Sequence, residues 1–317
     1  MLSRVAEHIY WLSRYVERAE NTARLIRVNT HLQLDLPHHL RSGWEPLVAI
    51  SGAGESFHRR YFDSREATVV SFLIGDYENS SSIIQSLKWA RENARTIRDF
   101  FPREGWELMN DLYRSASSEI YLGISPRGRY NYLQQVINGV QTLTGMLSGT
   151  MSHDEGYEFL RLGRFLERAD MSTRLIDVLT ALLEQEHSDI DAYEGVLWMN
   201  VLESLGGSQV YRRVTQQGLR WSPVLAFLFR NRHFPRSFLY CLSELCDALK
   251  ALKNNEFALE RLNALEEHIR PLQPDTLDGE SLHLLIDELQ LLLGGIHQEI
   301  GVAYFNYPQE QKQSQSQ

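Results

Sequence analysis

The chain has 317 residues, 43% of them hydrophobic and 23% charged, which is the composition of a folded globular protein and not of a disordered one. Its 32 basic against 41 acidic side chains give a formal net charge of −9. So acidic a chain is not a sequence-independent binder of a phosphate backbone, and no nucleic-acid partner is expected.

The first residues, "MLSRVAEHIYWLSR", place Arg4, Glu7 and Arg14 where a signal peptide needs an apolar core. Instead, Ser3 offers an N-cap, and Ile9, Leu12, Val16, Ala19, Ala23 and Ile26 recur at steps of three and four. That spacing predicts a long helix over residues 3–30 with one apolar face. "SGAGES" (51–56) is glycine-rich but lacks the lysine and the preceding strand of a phosphate loop, so it is read as a turn. "SSSIIQSLKWARENARTIRDFF" reads as a helix behind a serine cap, and "YNYLQQVINGVQTLTGMLSG" as another. "MSHDEGYEFL" leads into a second long helix, with His153, Asp154 and Glu155 at its entry; acids suit a helix N-terminus, and no metal site is expected there. "SFLYCLSELCDALKALKNN" is helical. It carries the only two cysteines, Cys241 and Cys246, too few for a structural zinc site and poorly spaced for a disulfide, so a reduced, cytoplasmic setting is expected. "GESLHLLIDELQLLLGG" is the most apolar stretch, but Asp287 and Glu288 interrupt it and no membrane span is expected. The final residues, 306–317, are polar and expected to be disordered. Strand-type alternation is hard to find, and the fold class predicted is all-α, a bundle of antiparallel helices.

The chain also repeats itself. "LSRYVERAENTARLI" (12–26) aligns with "LGRFLERADMSTRLI" (162–176), matching Arg14 with Arg164, Glu17 with Glu167, Arg18 with Arg168, Glu20 with Asp170 and Arg24 with Arg174. Further on the register shifts by five residues, and Gly52 meets Gly207, Phe72 meets Phe227 and Ser82 meets Ser237. The expectation is two duplicated helical units, 1–150 and 151–305, sharing one core about a pseudo-twofold axis.

On a helical wheel Arg14, Glu17, Asn21 and Arg24 share a face pointing away from the apolar stripe, with Glu20 at its edge and Arg18 to one side. Arg164, Glu167 and Arg174 take the same face in the second repeat, with Asp170 at the edge. Two readings stay open. One is an ion-pair ladder, in which Glu20–Arg24 and Asp170–Arg174 are i,i+4 pairs. The other is a polar cleft in which arginine forks hold an anionic or peptide-like ligand. "ENARTIRD" adds Glu92, Asn93, Arg95, Arg98 and Asp99, a solvated face or an extension of that cleft. A di-metal bundle needs Glu-x-x-His pairs, and the repeats have no histidine in step; no metal or cofactor is expected. An enzyme acting on amide bonds is the alternative, with Glu17 or Glu167 as general acid/base, and it requires a pocket and a raised carboxyl pKa.

"MLSRVAEHIYWLSRYVERAENTARLI", "ENARTIRD" with "WELMN", and "DEGYEFLRLGRFLERADMSTRLID" resemble the bacterial Alpha-E family, named for an all-helical domain with a repeated Glu-Arg motif, here Glu17-Arg18 and Glu167-Arg168. The second half departs from the pattern, keeping only Asp247 and Lys250 of an "ENAR"-type run. Members of that family tend to be encoded beside circularly permuted ATP-grasp ligases and transglutaminase-like proteins. The resemblance therefore implies an auxiliary component of a peptide synthesis or modification system, with such a ligase or transglutaminase-like protein as partner.

Overall fold

The computed structural model describes residues 1–35, 37, 43–185 and 190–306. The expectation for the tail, Asn306 apart, lies outside the described residues. Fifteen α-helices and no strand occur among those described, so the chain is all-α.

Two long helices organise the rest, α1 (Ser3–Asp35) and α9 (Glu155–Gln185). All six residues of the α1 apolar stripe are buried, from Ile9 to Ile26. The serine caps form as expected. Ser82 accepts from the Gln85 N–H at the start of α5 (Ile83–Thr96), and Ser237 accepts from the Tyr240 N–H at the start of α13 (Phe238–Lys250). Each satisfies a backbone donor that the first helical turn otherwise leaves bare.

α1 and α9 pack against each other along their length. α5 and α8 (Arg129–Thr150) flank α1, while α13 and α15 (Gly279–Tyr304) flank α9. α6 (Arg103–Ser118) bridges α5 and α8, and α14 (Glu256–Ile269) bridges α13 and α15. Shorter helices cross between the halves. α2 (Glu45–Ile50) packs on α9, and α10 (Ile190–Ser204) packs on α1. Of the "SGAGES" turn only its first part is a turn, since α3 (Gly54–Arg60) begins within it. α4 (Glu66–Gly75) and α7 (Ile120–Ile124) close one side, and α11 (Ser208–Thr215) and α12 (Trp221–Arg230) the other. No described helix is long and apolar enough to cross a membrane.

The two long helices approach closely because Ser13 and Gly163 are small. A β-carbon at Gly163 would lie 2.3 Å from the Tyr10 carbonyl oxygen, and the Ser13 hydroxyl donates to the Leu160 carbonyl at 2.6 Å. This contact sets the depth at which the charged side chains that follow, from Arg14 and Arg164 onward, meet.

Candidate functional site

The charged stripes of α1 and α9 do not face away from the core. Glu17 is 3% exposed, Glu20 4% and Glu167 2%, and Asn21 is equally deep, so the polar face is a buried seam between the two helices. Helix α1 is covered on both its apolar and its charged side, because α9 and the segment before α13 close over the latter. The helical wheel separated the faces correctly but could not show that both would be enclosed.

Each Glu of the repeated motif is gripped by two arginines. Arg14 Nε donates to Glu167 Oε2 at 2.8 Å, and Arg18 donates to both oxygens at 2.5 and 3.0 Å. In the opposite direction Arg168 forms a two-pronged contact with Glu17 at 2.9 and 2.8 Å. Its second arginine is Arg236, from the turn before α13, at 2.7 Å. Arg236 also donates to Asn21 at 2.6 Å and to Glu20 at 3.1 Å. The i,i+4 pairs Glu20–Arg24 and Asp170–Arg174 form at 2.7 and 3.0 Å.

Arg236 was invisible to sequence reasoning. It is a single arginine in a turn, outside the repeated motif and outside any helical period. The one usable signal was its position next to Ser237, which falls in register with Ser82.

Arg164, the counterpart of Arg14, behaves differently. It is half-buried beside Glu17, Ser13 and Thr144 around a void with room for little more than one water molecule. It makes no ion pair among the described residues. Burial, and then the Arg168 charge, lower its affinity for a proton.

The remaining candidates lie elsewhere. Glu92 pairs with Arg91 and Arg95 at the surface. Asn93 contacts His8 of α1, on the far side from the seam. Arg98 lies over the Trp106 ring, and both it and Asp99 are exposed beyond the end of α5. This run does not join the Glu17–Glu167 network.

Electrostatics fixes the protonation of the seam. Burial on its own raises a carboxyl pKa, but for Glu17 the Arg168 and Arg236 charges outweigh it and hold the group far below the usual carboxylate range. For Glu167 burial is likewise outweighed by Arg18 and Arg14, and the pKa falls to about 2. Neither glutamate therefore has the raised pKa that a general acid needs, and so strongly stabilised a carboxylate is a feeble base. The void that Glu17 lines beside Arg164 has room for little more than one water molecule, too small for a substrate. Cys241 lies close to Arg168, yet burial pushes its thiol up to about 12, so it is no thiolate nucleophile. Among the described residues no three His, Cys, Asp or Glu side chains converge as metal ligands would.

The Glu-Arg pairs at 17–18 and 167–168 are thus the centre of the seam. No solved structure matches the chain. It is 25% identical, over 93% of its own length, to an uncharacterized protein of Mycobacterium bovis and, to the same degree, to uncharacterized proteins from two strains of Mycobacterium tuberculosis. The chain spans only 35% of the length of these relatives. Residues 1–305 match a family described as a predicted alpha-helical domain with a conserved ER motif, and the chain belongs to this Alpha-E family.

Proposed function

We propose that the chain is a cytoplasmic, non-catalytic binding component of a peptide synthesis or modification system, partnering an ATP-grasp-type ligase and drawing an anionic or peptide ligand through its arginines. One observation carries this reading. Around the α1–α9 seam six guanidiniums (Arg14, Arg18, Arg24, Arg164, Arg168 and Arg236) meet three carboxylates (Glu17, Glu20 and Glu167). On a chain with net charge −9 this is a local positive surplus. Arg164 is half-buried without an ion pair among the described residues, and burial with the Arg168 charge outweighs the nearby Glu17 and Glu20, so an anion bound nearby offsets a cost.

The length of the mycobacterial relatives is consistent with a helical unit that works beside other domains. The arrangement also supports descent by duplication. Arg18–Glu167 and Arg168–Glu17 are reciprocal, and α5–α6–α8 flank α1 as α13–α14–α15 flank α9. The repeated motif then serves chiefly to fix two half-bundles together, and binding falls to the arginines at the edge of that lock.

The test is capture and titration of an ATP-grasp-type ligase, and of an acidic peptide, at low and high salt. The expected result is binding that weakens as salt rises and weakens further in Arg164→Gln, which breaks no ion pair among the described residues. Failure of both ligase and peptide to bind the folded chain overturns the reading.

A further inference from the structure

The second half of α1 ends in a recess that the Glu-Arg motif does not use. Arg24 and Arg27, one turn apart, line a cavity of about 480 Å³ at the surface, within the roughly 300–1,000 Å³ range of small-molecule sites. Its opposite wall is the turn between α10 and α11 together with the first turn of α11, Ser208, Gln209 and Val210.

Three features of this recess favour one kind of ligand. Arg24 spends its Nε and Nη2 on Glu20, while its Nη1 lies against Gly206, 3.3 Å from where a β-carbon there would be. Arg27 donates only to the neutral Gln134, and among the described residues it has no carboxylate partner. Burial and the neighbouring Arg24 charge both disfavour its proton. Opposite the arginines, α11 starts with no side-chain cap and no acidic residue in its first turn. The bare N–H groups and the helix dipole there favour negative charge. Among the described residues the acid on the wall is Glu203. At the rim the exposed rings of His31 and Tyr130 meet edge to face at 6.0 Å.

We infer that this recess binds a phosphoryl dianion, held between the Arg24–Arg27 pair and the first turn of α11, with the rest of a small phosphate ester lying on Tyr130. Donors from two opposed walls suit a tetrahedral anion with three terminal oxygens better than a planar carboxylate with two. Gly206 leaves Arg24 room to reach the turn. The site rests on the binding-component reading for its biological role; Arg24 touches the seam through Glu20, whereas Arg27 and the α11 wall lie outside it.

The experiment is calorimetric titration of the full chain at fixed ionic strength with inorganic phosphate, phenyl phosphate and acetate. Phosphate and phenyl phosphate are expected to bind and acetate not to. Tighter binding of phenyl phosphate identifies an ester as the ligand, and equal binding identifies free phosphate. Arg27→Gln, which removes a charge with no carboxylate partner among the described residues, should weaken binding by about tenfold. Glu203→Gln, which removes the acid among the described residues of the wall, should tighten it by about threefold. No phosphate binding, equal binding of acetate, or indifference to both substitutions overturns the inference. The two readings fail separately. Phosphate binding with these responses but no capture of the ligase leaves the site and removes the partner, whereas ligase capture without phosphate binding does the reverse.

Discussion

Arg236→Met tests the seam most directly. Arg236 is 8% exposed and donates to Glu17, Asn21 and Glu20 at once. Removing one partner of a buried ion pair costs about 3–5 kcal/mol. The lower end applies here, because Glu17 keeps Arg168 and Glu20 keeps Arg24. Methionine fills the volume of the arginine stem, so little is added for a cavity. A loss of about 3 kcal/mol at roughly 2 °C per kcal/mol lowers Tm by about 6 °C in a chain of this size. Urea unfolding should show the same loss as a lower midpoint with an unchanged slope. In a Glu17→Gln background the added loss should shrink by about 1–3 kcal/mol, since the stranded charge is already gone. A stability within about 0.5 kcal/mol of the parent, or strict additivity of the two substitutions, would refute the picture of a buried, mutually dependent network.

Acid should unfold the protein in two stages. Burial and the nearby Arg14 charge hold His297 down at about 4, and Glu167 sits at about 2 with Glu17 also depressed. All three are lower folded than unfolded, so their stabilisation is complete above the unfolded pKa and is lost as pH falls through the folded one. Urea midpoints should therefore drop between about pH 6.5 and 4 from His297 and again below about pH 4.3 from the glutamates; His297→Gln should abolish only the first drop. Gly52→Ala and Gly206→Ala, both at φ +69°, should each cost about 1–2 kcal/mol, with Gly52 the worse because its β-carbon would stand 2.7 Å from Arg174 Nη1. Arg164→Gln should leave urea stability unchanged or raise it in the absence of any anion, and a loss like that of Arg236→Met would refute the reading of Arg164 as a surplus charge. Cys241 should resist iodoacetamide at pH 8 until denaturant is added, because burial keeps its thiol up at about 12.

The helices were legible because they are long and periodic. Six apolar positions at steps of three and four are enough to place α1, and Ser82 and Ser237 mark the starts of α5 and α13. The short helices α2, α3, α7 and α11 were not separable, because five to eight residues hold too few periods to tell a helix from a turn. Gly52 aligns by letter with Gly207, whereas the left-handed glycines are Gly43, Gly52 and Gly206; Gly52 and Gly206 each lie under an arginine of the other long helix, Arg174 and Arg24. The acid-base candidates were legible as residues but not as chemistry. Whether Glu17 is a catalyst or a strut depends on how many guanidiniums reach it, and Arg236 comes from a turn more than two hundred positions away.

That turn also explains why the seam is not symmetric. A symmetric seam would have Arg164 grip Glu17 as Arg14 grips Glu167. Arg236 occupies that place, and one guanidinium there serves Glu17, Glu20 and Asn21 together. Arg164 is left without an ion pair among the described residues, in a position where burial and the Arg168 charge outweigh the nearby Glu17 and Glu20. A structural lock alone gives no reason to retain that charge, since a neutral side chain would serve it as well or better. The surplus is understandable when the arginines beyond the lock have an anion to meet, and the recess at Arg24 and Arg27 lies on α1, just over one turn past Glu20 for the first of them.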